Sequence, residues 1–238
     1  MAGYLKHIQK LGNRVAFGRR VEYLKYNYSL PLKNLNSSQR VLEIGPGAGE
    51  LLKILNDKGF TNIDIIDNDE SVLKYCQKKY RINKTIFSKN LDLSTALKGS
   101  YDLIVLTQVF EHIPKSSYQN WIRCMYHSLN SDGQIIITVP NGANPLSGTE
   151  RYGDLQHENM FTVFAFQELM TFADLKNSKY KIQGFEIPPI SPINIIRIVL
   201  QKILHFIFLI LMIINGAIYQ KLLTPNITLL IQKVNQKV

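Results

Sequence analysis

The chain alternates between short, continuous apolar runs and stretches whose apolar residues recur every three or four positions. The runs at 41–44, 61–66, 85–87, 103–106, 134–139, 180–187 and 227–234 are too short for helices and read as strands. The unbroken apolar character of 103–106 suits a central parallel strand covered on both faces. Helical spacing lies before and between these runs. Phe17, Val21, Leu24 and Tyr28 fall at i, i+4, i+7 and i+11, one apolar face among Arg19, Arg20, Glu22 and Lys25, and Leu30-Pro31 should end that helix. Leu51, Leu52 and Leu55 mark a helix starting at Glu50. Trp121, Ile122, Met125, Tyr126 and Leu129 mark another, with Ser116-x-x-Gln119 as its capping box. Phe166, Leu169, Met170 and Phe172 mark a third, behind a capping Thr162. The pattern predicts one α/β domain.

The first strand runs straight into glycines, in the stretch VLEIGPGAGE from Val41 to Glu50. Strand, glycine turn and helix together make a loop whose backbone a ligand can approach closely, with the N–H groups of the following helix facing it. A dinucleotide fingerprint would need a third glycine at position 50, which is Glu50. The spacing is G-x-G-x-G, preceded by the acid Glu43. An acid beside the loop suits a cofactor carrying an ammonium and a sulfonium better than one carrying a pyrophosphate. The second run ends in Asp67, roughly 20 residues past the loop, where a Rossmann-type fold holds ribose hydroxyls. Asp69 or Ser71 can cap the next helix.

This order of loop and acids resembles the class I S-adenosylmethionine (SAM) methyltransferases. Two further segments carry the resemblance. Thr107 to Pro114, TQVFEHIP, is similar to the strand-end segment of ubiquinone-type and glycan-cluster methyltransferases, and SDGQIIITVPN is similar to the family's turn, strand and Pro-Asn. The resemblance implies a Rossmann-like, seven-stranded sheet with helices on both faces, plus N-terminal helices; the apolar block at 203–214 adds a hydrophobic helical insert between strands six and seven. It implies S-adenosyl-L-methionine as cofactor, held by Glu43, Gly45, Pro46, Gly47, Gly49, Asp67, Asn68, Asp92, Leu93 and Gln108. Asp67 would take the ribose, Asp92 the adenine amino group, and Gln108 would lie near the methionine end. Asn68 stands where an apolar residue against the adenine is the pattern. Asp102 opens its strand at the edge away from the ligand and is not a candidate.

The segment RYGDLQHENMFT resembles a narrower subgroup, found with bacterial surface-polysaccharide and lipopolysaccharide genes. It lies in a long loop, 140–161, rich in polar groups that can grip a substrate: Asn141, Glu150, Arg151, Tyr152, Asp154, His157 and Glu158. Methyl transfer to a hydroxyl is helped by a general base, and histidine suits that role near neutral pH. His157 is the first candidate base and His112 the second, while Glu111 can orient cofactor or acceptor. Each histidine has a plainer alternative, pinning its loop by hydrogen bonds.

The 238 residues carry a formal charge of +10, which reads either as a solvated, lysine-rich surface or as attraction to a polyanion. With no RNA-binding motif and no dense basic run, nucleic acid is not an expected partner; an anionic membrane face is. Cys76 and Cys124 have no metal-ligand spacing, and no metal is expected. The N-terminus leads directly into mixed lysine and apolar residues, so no export segment is expected. The segment bracketed by Lys202 and Lys221, which holds the apolar block ILHFIFLILMII and follows Arg197, is long enough to be a membrane-span candidate. A single crossing would put strands six and seven on opposite sides, so the insert should lie on the membrane surface or form a homodimer contact. The expected divisions are a helical cap at 1–39, a core at 40–192, the insert at 193–222 and a final strand at 223–238. The expected location is cytoplasmic, peripheral on the inner face of the cytoplasmic membrane. The expected function is O-methylation of a sugar or lipid-linked glycan, with a quinone-like lipid acceptor or a non-catalytic membrane scaffold as alternatives.

Overall fold

In the computed structural model, residues 14–89, 91–97, 99–217 and 220–234 are described. The start of the cap at 1–13 and the end of the tail lie outside them. Seven strands form one sheet: Val41–Ile44 (β1), Ile63–Asp67 (β2), Lys84–Phe87 (β3), Tyr101–Thr107 (β4), Leu129–Pro140 (β5), Ser178–Gly184 (β6) and Asn226–Lys233 (β7). Their order is β3-β2-β1-β4-β5-β7-β6. The first five are parallel, and β7 lies antiparallel between β5 and β6. This is the seven-stranded arrangement expected from the sequence.

The helices are Arg14–Asn27 (α1), Ser29–Lys33 (α2), Glu50–Asp57 (α3), Glu70–Lys79 (α4), Leu93–Ala96 (α5), Tyr118–His127 (α6), Gly148–Tyr152 (α7), Val163–Ala173 (α8) and Pro192–Ile214 (α9). Alternate strand residues feed two cores. Val41, Ile63, Ile65, Leu103 and Val105 pack beneath α1, α3 and α4. Leu42, Ile44, Ile66, Ile104 and Leu106 pack beneath α6 and α8. A strand buried on both faces must be apolar at consecutive positions, which is why these runs do not alternate with polar residues.

Two local expectations are corrected. Pro31 does not end the helical region: α1 stops at Asn27, and Pro31 sits buried inside the short α2. A proline in a first turn gives up an N–H that has no intrahelical partner anyway. The capping box at Ser116 does not form. A 3-10 turn, Lys115–Ser117, leads into α6, whose N-cap Ser117 makes no side-chain cap hydrogen bond. Asp69 and Thr162 do cap α4 and α8, accepting from Ser71 N and Ala165 N.

At the amino edge of the sheet, the fully buried Asp64 gathers Arg40 Nη2 at 2.6 Å, Asn83 Nδ2 at 2.8 Å and Tyr101 Oη at 3.1 Å. Asp102 accepts there from the Arg40 N–H and from Asn130 Nδ2. These acids serve the frame, at the edge opposite the ligand side.

Tyr28, at the end of α1, is fully buried, and its hydroxyl meets Thr107 Oγ1 at 2.9 Å and Thr138 Oγ1 at 2.7 Å. The cap is thereby joined to the carboxyl ends of β4 and β5. Tyr28→Phe keeps the ring and removes both hydrogen bonds, so urea denaturation should show a loss of about 1–2 kcal/mol. An unchanged midpoint would contradict this anchoring role.

Candidate cofactor cleft and acceptor cluster

The strand order reverses at the β1–β4 pair, because β2 and β3 lie on one side and β5, β7 and β6 on the other. Chain leaving these two strands diverges, and open α/β sheets bind ligands in the crevice this creates at their carboxyl ends. The glycine loop forms one wall. Gly45 and Gly49 have φ of +69° and +84°, a conformation that side chains resist. A Cβ at Gly45 would drive into Val109, and one at Gly49 into the Tyr80 ring. The loop is thus glycine both for its backbone angles and because neighbouring side chains press against it.

Three acids surround that wall. Glu43 is 5% exposed, and one of its carboxylate oxygens has no hydrogen-bond partner. Burial holds its carboxyl well above the usual range, and the charges of Glu50 and Asp67 push it further. Asp67, at the end of β2, is raised to about 6, mainly by burial, although its Oδ1 accepts the Asp69 N–H at 2.8 Å. Glu50 opens α3 and pairs with Arg20 of the cap helix at 2.6 Å. A partnerless buried carboxylate oxygen beside a glycine cradle fits a cofactor that brings its own positive charge and its own hydroxyl donors.

The other expected cofactor residues fall into place less directly. Pro46 is buried in the loop and Asn68 is exposed just past β2. Asp92 is exposed and caps α5 through Ser94 N at 3.0 Å, while Leu93 behind it is buried. Gln108 adopts a φ of +56° immediately after β4 and donates through Nε2 to Asn226 Oδ1 at 3.1 Å. Arg20, Tyr80 and Val109 shape the cleft without any sequence motif to mark them. Tyr28 was visible only as part of an apolar helical face.

Glu111, His112 and His157 converge, although they come from separate segments. A 3-10 turn after β4, Phe110–His112, supplies the first two, and the loop after β5 supplies the third. The Glu111 carbonyl accepts from the N–H groups of Glu158 and Asn159, which ties the two segments together. The imidazole rings lie 4.7 Å apart. His112 Nδ1 faces the Gln156 carbonyl at 3.2 Å and His157 Nδ1 faces the Glu150 carbonyl at 2.6 Å. Burial lowers the His112 pKa, and burial raises that of Glu111 to about 8. Asn141 is not free to grip a substrate: it is fully buried, donating to the carbonyls of Leu222 and Thr224.

A family model described as a methyltransferase domain matches residues 17–180. The chain belongs to this family. An uncharacterized methyltransferase of Staphylococcus carnosus is 32% identical over 119 residues, covering 47% of this chain and 53% of that protein. The chain thus matches about half the length of that curated relative. A SAM-dependent methyltransferase from Archaeoglobus fulgidus superposes with a TM-score of 0.61 at 17% identity, covering 90% of this chain and 94% of that one. The magnesium protoporphyrin IX methyltransferase of Synechocystis, solved with SAH, gives 0.56 at 13% identity, covering 93% and 88%. The plantazolicin methyltransferase BpumL, also solved with SAH, gives 0.60 at 17% identity, covering 92% and 85%. The cofactor of this methyltransferase fold is S-adenosyl-L-methionine, which the acid-lined glycine cleft fits.

Burial of the Asp67 carboxyl ties stability to pH. A carboxyl whose folded pKa lies above its unfolded value favours folding below about pH 4 and loses that contribution as the pH rises through about 6. Asp67→Asn removes this cost while keeping an oxygen for the Asp69 N–H. Denaturation at pH 7.5 should show a gain on the order of 1–3 kcal/mol that fades toward pH 4, with cofactor affinity falling at least tenfold. Lower stability at pH 7.5, or undiminished cofactor binding, would contradict the assignment.

Proposed function

We propose that the protein transfers a methyl group from S-adenosyl-L-methionine to a hydroxyl of a sugar or lipid-linked glycan in bacterial envelope synthesis, working at a membrane surface. The single observation that carries the location is α9. This 23-residue helix contains an 18-residue stretch of mean hydropathy 2.2, long and apolar enough to cross a membrane, yet none of that stretch is buried. Its half-covered stripe includes Asn194, Gln201 and His205, while Ile196, Val199, Leu200, Ile203, Phe206 and Leu211 are exposed. A water-facing helix carries its polar residues outward. Here the exposed arc is apolar apart from Arg197 and Lys202, and the half-covered stripe also holds Ile198, Phe208, Leu209 and Met212.

The helix cannot stand across a bilayer. Its axis is about 34 Å long, yet Leu222 is already packed against the core, seven residues after Asn215. Seven extended residues reach about 25 Å at most. A return from the far side would drag irregular backbone and Lys221 through hydrocarbon, which bilayers do not tolerate. The start of the helix is held by Asn194 to the Pro188 carbonyl, and Arg197 meets Tyr23 of α1. The helix therefore lies along the flank, with Arg197, Lys202 and Lys221 available to anionic headgroups.

Bound cofactor supplies an electrophilic methyl carbon on its sulfonium. The glycine loop would lie against its methionine end and Asp67 against its ribose. An acceptor hydroxyl must shed its proton as its oxygen takes the methyl, and the Glu111–His112–His157 cluster supplies the groups for that task. His157 Nε2 is the leading proton acceptor, with Asp154 Oδ2 3.9 Å away. His112 is the second.

Methyl-labelled cofactor, incubated with the protein and a lipid-linked glycan extract, should place label on sugar oxygen. Label on a quinone fraction would move the reading to a small lipid acceptor. A folded, cofactor-binding protein that labels neither would contradict it. Independently, the protein should float with phosphatidylglycerol vesicles, and Phe206→Asp combined with Leu211→Asp should reduce flotation more than tenfold. Unchanged flotation together with loss of a dimer would instead assign the face to a second copy of the chain.

A further inference from the structure

We propose that Glu111, His112 and His157 form a binding site for one divalent transition-metal ion. One ligand atom from each lies within 4.8 Å of the other two. Ligand bonds of about 2.0–2.2 Å place two ligands of one ion roughly 3–4 Å apart, so small side-chain rotations close the set. The backbone bonds from Glu158 and Asn159 to the Glu111 carbonyl already hold the two segments in register.

Two features single this cluster out from a chance meeting of side chains. Glu111 is 0% exposed, and neither of its carboxylate oxygens has a hydrogen-bond partner. Burying an acid without partners is costly, and a cation is the partner that removes the cost. The second feature is the orientation of the imidazoles. A carbonyl oxygen can only accept, so the contacts to Gln156 and Glu150 place the hydrogen of both rings on Nδ1. Each Nε2 is then a lone pair. Metal-binding histidines are held in this way, with the far ring nitrogen donating to a carbonyl or carboxylate.

Two imidazoles and one carboxylate select a transition metal, such as zinc or ferrous iron, over magnesium or calcium. Asp154 brings a second negative charge to the rim, 3.9 Å from His157 Nε2. Together with Glu111 it balances a dication. Three protein ligands leave coordination positions open for an exogenous oxygen. That this oxygen is the acceptor hydroxyl rests on the proposed methyl transfer, whereas the metal site itself does not. With the ion present the histidines act as ligands, and the ion lowers the pKa of the bound hydroxyl, whose proton passes to water.

The test uses full-length, untagged protein in detergent, stripped with chelator and titrated with Co2+ while visible absorption is recorded. One equivalent should produce d–d bands that Zn2+ abolishes. Glu111→Gln, His112→Gln and His157→Gln should each weaken the ion at least tenfold, with thermal unfolding and calorimetric SAM binding as controls for folding. His112, on the turn and only half-buried, is the variant least able to disturb packing. Absence of bands from the folded protein, or equal affinity in all three variants, overturns the site. Cofactor binding without metal binding would remove this proposal and leave methyl transfer standing. Metal binding without cofactor binding would do the reverse.

Discussion

A parallel sheet that reverses its strand order has one place where the chain cannot cover its own carboxyl edge, and here that place is the β1–β4 junction. The candidate cofactor residues are arranged about it. The glycine loop leaves β1 there with left-handed backbone angles, pressed by Val109 from the loop after β4. Glu43 and Asp67 are buried beside it at a cost the empty protein bears. The cap helix reaches over the same edge, through Arg20 to Glu50 and Tyr28 to Thr107. Stability has been given up at this edge for a ligand-ready cleft, a common trade at binding sites.

The antiparallel pair β6 and β7 imposes the second constraint. Both strands belong to one sheet, so the chain between them must leave and return on one side. That turns a segment with the composition of a membrane span into a flanking helix. Its exposed arc is apolar apart from Arg197 and Lys202, so the fold presents an apolar surface without sacrificing the sheet.

Most of the frame was readable from the sequence because buried parallel strands must be continuously apolar, and Glu43 and Asp67 interrupt or end such runs where no packing reason calls for an acid. The antiparallel seventh strand was readable for the same reason. Features that depend on what lies across space were not. Tyr28 reads as one more apolar position on a helix, and only the folded chain reveals two threonines at its hydroxyl. Ser116 has the spacing of a capping box, but a 3-10 turn displaces the helix start past it. Asn141 reads as a polar loop residue and is fully buried at a joint. His112 and His157 are separated by 45 positions, so their meeting and the unpartnered state of Glu111 belong to the fold alone. The absence of metal-ligand spacing in the sequence therefore gave no warning of the cluster.

If the acid-lined edge binds the cofactor through Asp67, whose pKa burial raises to about 6, binding must draw the proton from that carboxyl. Calorimetric titration with S-adenosyl-L-methionine at pH 6, in two buffers of different ionisation enthalpy, tests it most directly. The account predicts one cofactor per chain, with net release of protons as the Asp67 carboxyl gives up its hydrogen to the ligand-bound state. No binding by the folded protein, or binding accompanied by proton uptake, would contradict it.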